Sequence, residues 1–131
     1  MQSVAKLKNS PHPARKMRLL ADLVRGKSVD EALNILRFHN KKAYAVQLEK
    51  LVKSAISNWG QKYEGTSVED AELFISTIMV DSGKTLKRIQ PAPQGRAHRV
   101  RKRSNHITVI VSSAVNVEIE EVEESLTEEN N

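Results

Sequence analysis

The chain has 131 residues, 39% of them hydrophobic and only 4% aromatic, and a net charge of +5, which suits one domain with a modest aliphatic core. It has no cysteine, so it has no disulfide framework, thiolate nucleophile or zinc finger. No apolar run approaches the roughly 18 residues that cross a bilayer, and MQSVAKLKNS lacks a signal peptide's apolar stretch, so a cytoplasmic protein without membrane contact is expected.

The charge is unevenly divided. Residues 1–115 hold all 21 Lys and Arg and nine of the 16 acids, a body of +12. Residues 116–131 hold the other seven acids and no base. So basic a body points to a polyanionic partner, against the plainer reading of ordinary solubility charge.

Val4 to Lys8 alternates as a short strand would. Pro11 and Pro13 stand where a helix can begin, because a missing N–H costs little in the first turn. Met17, Leu20, Ala21 and Val24 then recur at helical spacing, and Gly26 supplies a stop. Ser28-Val29-Asp30-Glu31 reads as a capping box opening a second helix, with Val29, Ala32, Leu33 and Leu36 on its stripe and its end near Asn40. A third helix is predicted over about 41–62: Tyr44, Leu48, Leu51, Val52, Ala55 and Trp59 share a face, and Glu49 and Lys53 pair on the outside. Trp59 belongs to the core on this reading rather than to a stacking platform. Gly60 to Asp70 reads as a polar loop.

The period then changes to two. Leu73, Ile75, Thr77 and Met79 alternate with Phe74, Ser76, Ile78 and Val80, and a matching strand follows at 107–111. The two can pair antiparallel and cover the helices. The fold class expected is α+β: three helices packed on a small antiparallel sheet, with a long two-stranded hairpin arm extending from it. Residues 1–115 form one domain on this reading, with the arm at about 82–104. Residues 116–131 form an acidic, disordered tail, in which Val117, Ile119 and Val122 could prolong the last strand.

The arm carries the functional argument. About 20 residues, 84–103, separate the paired strands, where hairpin loops take roughly two to five. They include Lys84, Lys87, Arg88, Arg96, Arg99, Arg101, Lys102 and Arg103, and no acid. Pro91, Pro93 and Gly95 mark a turn near Ala92, with extended chain on either side reaching roughly 36 Å. Such a ribbon buries almost nothing and repels itself, so it should become ordered against negative charge on both sides. Arginine forks suit phosphate. Without aromatics for base stacking, shape and backbone recognition of folded RNA is expected; a solvated basic loop is the bland alternative.

RKMRLLADLVRGKSVDEAL (15–33) and QGRAHRVRKRSNHITVIV (94–111) resemble the first two helices and the returning half of the hairpin in the bacterial large-subunit ribosomal protein twenty-two family. The resemblance covers roughly residues 3–113. It implies binding of large-subunit ribosomal RNA, a part in subunit assembly, neighbouring large-subunit proteins as partners, and a hairpin whose tip lines the nascent-peptide tunnel. Arg96, Arg99, Arg101 and Lys102 become ribbon contacts to RNA, joined by Lys84, Lys87, Arg88, His98 and Arg103. Arg15, Lys16, Arg18, Arg25 and Lys27 become the basic surface of the first helix and its turn. Gln90, Pro91, Ala92, Pro93, Gln94 and Gly95 become the tip facing the nascent peptide. Three departures from the pattern matter: Pro13-Ala14 stands where many members have Ser-Pro, Ala92-Pro93 where arginine followed by alanine is common, and the acidic tail lies outside the family core.

His12, His39, His98 and His106 are scattered without metal-ligand spacing, and His106 reads as a structural strand residue. The tail glutamates, from Glu118 to Glu124, read as a solvated run rather than an ion site. No phosphate loop, nucleophile elbow or ordered carboxylate pair is present, so neither an enzyme nor a cofactor is expected. Two other classes stay open: an architectural DNA-binding protein with proline-tipped β-arms, which predicts preference for duplex DNA, and a protein-binding module using the tail.

Overall fold

A computed structural model of the chain describes residues 2–65, 67–69 and 71–114. The acidic tail, including the strand extension through Val117, Ile119 and Val122, lies outside the described residues. In chain order the elements are β1 (Gln2–Ser10), α1 (Ala14–Val24), α2 (Val29–Arg37), α3 (Lys42–Lys62), β2 (Leu73–Ser82), β3 (Leu86–Pro91), a 3-10 turn (Pro93–Gly95), β4 (Ala97–Lys102) and β5 (Asn105–Ser113). This is the expected α+β architecture. One sheet has the order β1-β5-β2, all antiparallel, and β3 and β4 pair only with each other.

The helices cover one face of the three-stranded sheet: α3 lies beneath β1 and β5, α1 beneath β2, and α2 packs against both helices. Met17, Leu48 and Trp59 meet Ile107, Val109 and Val111 in the core, all fully buried. Burying each large side chain of this kind contributes about 1.5–3 kcal/mol. α2 is capped at Ser28, whose Oγ accepts from the Glu31 N–H at 3.4 Å. The Glu31 carboxylate lies 3.9 Å from Lys27 Nζ, so the capping motif is seen here through its serine half. Pro13 caps α1 without a side-chain hydrogen bond, the consequence of proline at that position. Glu49 and Lys53 pair at 3.1 Å.

Boundaries moved in three places. α2 stops at Arg37 rather than near Asn40, β1 runs over Gln2–Ser10 rather than Val4 to Lys8, and β5 begins at Asn105, while α3 ends at Lys62 as expected. A larger difference lies in β2. Its inward residues are Leu73, Ile75, Ile78 and Val80, not an unbroken alternation from Leu73 to Met79. The register slips between Ile75 and Thr77, leaving Ser76 as a bulge whose Oγ donates to the Ile110 carbonyl at 3.0 Å. One extra residue swaps the faces of the strand beyond it, which puts Met79 outside, 45% exposed.

The free edge of β2 is covered. Gly26, at φ +77°, occupies the left-handed region that glycine enters without strain, and turns the chain back toward β2. Its N–H donates to the Ile75 carbonyl at 3.0 Å, and the Ile75 N–H donates to the Lys27 carbonyl at 2.9 Å. Farther along the same edge, Arg18 Nε donates to the Val80 carbonyl at 3.2 Å and an Arg25 amino group to the Ile78 carbonyl at 3.0 Å. An edge whose hydrogen-bonding groups are occupied cannot recruit another strand there.

Candidate nucleic-acid interface

The β2–β5 ladder ends at Ser82 opposite Asn105, and the arm ladder begins at Leu86 opposite Lys102. Three residues on the outgoing strand therefore face two on the returning one. The mismatch is closed by the Gly83 N–H donating to the Ser104 carbonyl at 2.9 Å and by Ser104 Oγ donating to the Lys84 carbonyl at 2.6 Å. A Cβ on Gly83 would stand 2.5 Å from Ser104 Oγ and 3.2 Å from two ring atoms of His106. Close approach, not a special φ, demands glycine at the root of the arm. His106 is in turn held by the Asn9 N–H, which donates to its Nδ1 at 3.1 Å.

Beyond the root, six residue pairs run from Leu86–Lys102 to Pro91–Ala97. Alternation puts Leu86, Arg88, Gln90, His98, Val100 and Lys102 on one face, and Lys87, Ile89, Pro91, Ala97, Arg99 and Arg101 on the other. Both faces carry cations. The hairpin turns about Gln94 rather than Ala92: the Ala92 N–H donates to the Arg96 carbonyl at 2.8 Å, and Gln94 and Gly95 take φ values of +64° and +70°. The tip residues Gln90, Pro91, Pro93, Gln94 and Gly95 are exposed and Ala92 is partly so.

Lys84, Lys87, Arg88, Arg96, His98, Arg99, Arg101, Lys102 and Arg103 are all exposed. Among the described residues none of the eight arm Lys and Arg has an acidic partner. Ile89, 76% exposed, has no core to enter. The arm is thus a rod of positive charge with open apolar side chains and little internal packing.

The α1 group divides. Arg15 and Lys16 are exposed on the first turn, and Arg15 lies beside the arm root. Arg18 and Arg25 spend part of their donor capacity on the β2 edge, and Arg25 also bonds Asp22 at 2.5 Å. Lys27 faces Glu31. Sequence reasoning saw these as one basic surface and missed their second task, because nothing local to α1 reveals that β2 lies alongside.

It also missed the N-terminal contribution to the root. Asn9, Pro11 and Pro13 line a cleft together with residues of the arm. They are brought there because β1 pairs with β5 and because Asn105 Nδ2 donates to the His12 carbonyl at 2.7 Å, contacts more than 90 residues apart in the chain. His12 itself packs against Tyr44, with ring centroids 4.3 Å apart. Among the described residues no group of histidines and acids is placed to hold a metal ion.

A family model described as ribosomal protein L22p/L17e matches residues 5–112. The large ribosomal subunit protein uL22 of Flavobacterium psychrophilum is 60% identical over 114 residues, which cover 87% of this chain and 82% of that protein. The protein of the same name from Christiangramia forsetii is 56% identical over 87% of this chain and 84% of its own length. That from Bacteroides fragilis is 55% identical over 87% and 82%.

Proposed function

Because the chain belongs to the ribosomal protein L22p/L17e family, we propose that it serves as a structural constituent of the large ribosomal subunit in the cytoplasm, binding large-subunit ribosomal RNA through its arm and basic body. The observation that carries the RNA reading is the arm: eight bases spread over both faces of a ribbon and its root, with no acid among residues 82–104. A rod charged on both faces suits insertion between RNA segments, where phosphates approach from more than one side. Arg15 and Lys16 extend the same charge onto α1. A common core running through all three helices and the sheet supports treating residues 1–115 as one domain.

The finer parts of the reading follow the family. The body docks on ribosomal RNA and neighbouring large-subunit proteins and supports assembly. The arm reaches inward, and residues 90–95 at its tip line the path of the nascent peptide. The exposed turn at Gln94 and Gly95 supports that role, since none of the described residues covers it.

Removing residues 86–102 tests the arm. The deletion takes away six bases: Lys87, Arg88, Arg96, Arg99, Arg101 and Lys102. At roughly 0.7–0.9 counterions per neutralised phosphate, the logarithmic salt slope of RNA binding should fall by about four to five. An unchanged slope would mean that the arm neutralises no phosphate. Competition between ribosomal RNA and duplex DNA in the same assay separates this reading from a DNA-bending protein, and co-sedimentation of a tagged copy with large subunits tests the location.

A further inference from the structure

The cleft at the arm root has a volume of about 840 Å³ and is lined on one side by Asn9, Pro11 and Pro13, and on the other by residues of β3, β4 and the root. We infer that it receives a single unstacked nucleotide of the bound RNA, with its base against the apolar lining and its flanking phosphates on the surrounding cations. The inference rests on the RNA-binding reading above and specifies one contact within it.

Two chemistries meet in this cleft. Pro11, Pro13 and Leu86 give it a substantial apolar lining, with Leu86 45% exposed. Lys84, Arg101, Lys102 and Arg103 surround that lining, and none of the lining residues is acidic. A continuous phosphate backbone has no use for the apolar part, and an uncharged apolar peptide has no use for four cations. A nucleotide joins a flat apolar body to a negative charge. The volume falls within the roughly 300–1,000 Å³ of small-ligand sites. Unpaired bases of folded RNA stack on guanidinium planes, and Arg103 lies in the lining at the root. The Asn9 side chain offers one acceptor and two donors to a base edge.

The N-terminal wall and the arm root are held in place before RNA arrives. The Asn9 N–H bond to His106, the Asn105 bond to the His12 carbonyl and the Ser104 bond to the Lys84 carbonyl fix the N-terminal wall and the root, and the arm residues of the lining settle on that frame when RNA binds. A preformed site loses less freedom on binding than one that must be ordered. Aromatic stacking, absent from the arm's sequence, is therefore unnecessary here.

The test uses the full chain, an in vitro transcript of bacterial large-subunit ribosomal RNA, affinity across a salt series, and chemical probing of base edges. Leu86→Trp narrows the apolar part of the cleft without altering charge. It should weaken binding about tenfold at an unchanged salt slope and expose a base that the wild-type chain protects. Leu86→Ala removes the apolar contact without adding bulk and should expose the same base. Arg101→Gln should lower the slope by about one. Wild-type affinity and base protection in both Leu86 variants would overturn the inference. So would a Leu86→Trp effect that vanishes when residues 115–131 are removed, since the occupant would then be the chain's own acidic tail. A wild-type chain showing no salt-dependent RNA binding would overturn this contact and the proposed function together, whereas arm-dependent binding with an empty cleft would overturn the contact alone.

Discussion

At the scale of single residues, the junction between sheet and arm depends on Gly83. An added Cβ meets Ser104 Oγ and the His106 ring, and moving Ser104 away breaks its bond to the Lys84 carbonyl. Gly83→Ala is expected to destabilise the protein by about 1–3 kcal/mol, as overpacking does, measured by urea unfolding. Combining it with Ser104→Ala should cost less than the two separate losses added together, because the nearest obstructing atom is gone. Strict additivity would place the strain elsewhere. Arg18 and Arg25 give a second expectation. Arg18→Met and Arg25→Met each remove a bond to a β2 carbonyl, so each should lower stability by about 0.5–1.5 kcal/mol. A fall in the salt slope of RNA binding by the same variants would show that their remaining donors reach phosphate. Unchanged stability would leave RNA as their only task.

At the scale of elements, the contrast is between two antiparallel pairs. β2 and β5 place Ile75, Ile78, Ile107 and Val109 in the core. β3 and β4 hold the same kind of ladder with nearly every side chain exposed. A ladder without a buried face is marginal in water, and eight like charges weaken it further. Amide exchange in the RNA-free protein should therefore be fast at 86–102 and slow in β5, with protection of the arm appearing on RNA binding. Strong protection of the arm in free, monomeric protein would show that the hairpin supports itself. The helices owe their stability to the opposite circumstance, since each lays its apolar stripe on the sheet or on a neighbouring helix.

At the scale of the whole molecule, charge is segregated between a body of +12 and a terminal segment of −7. Residues 116–131 contribute a field that opposes phosphate near the basic body, screened over about 8 Å at physiological salt. Their removal is expected to leave RNA affinity unchanged or to raise it, most visibly at low salt, in the same titration used for the arm. A substantial loss of affinity would mean that this segment makes favourable contacts with the RNA.

The amino-acid order by itself determined the elements and the chemistry of the arm. Helical stripes, the Ser28 cap and the period-two strands depend on neighbours within a few positions, so they can be read locally. Eight bases without an acid in a segment too long for an ordinary turn can be read the same way. Tertiary structure decided how those pieces meet. The slip at Ser76 was hidden because both faces of β2 carry apolar residues, so alternation could not say which face turns inward or where it changes. The pairing of β1 with β5 joins residues more than 90 positions apart, and no local pattern encodes it. From that pairing follow the anchoring of Asn9 on His106, the arrival of Pro11 and Pro13 at the arm root, and the cleft between them. The arginines on the β2 edge have the same origin: their charge is local information, but the carbonyls they bind come from a strand that only the packed fold brings alongside.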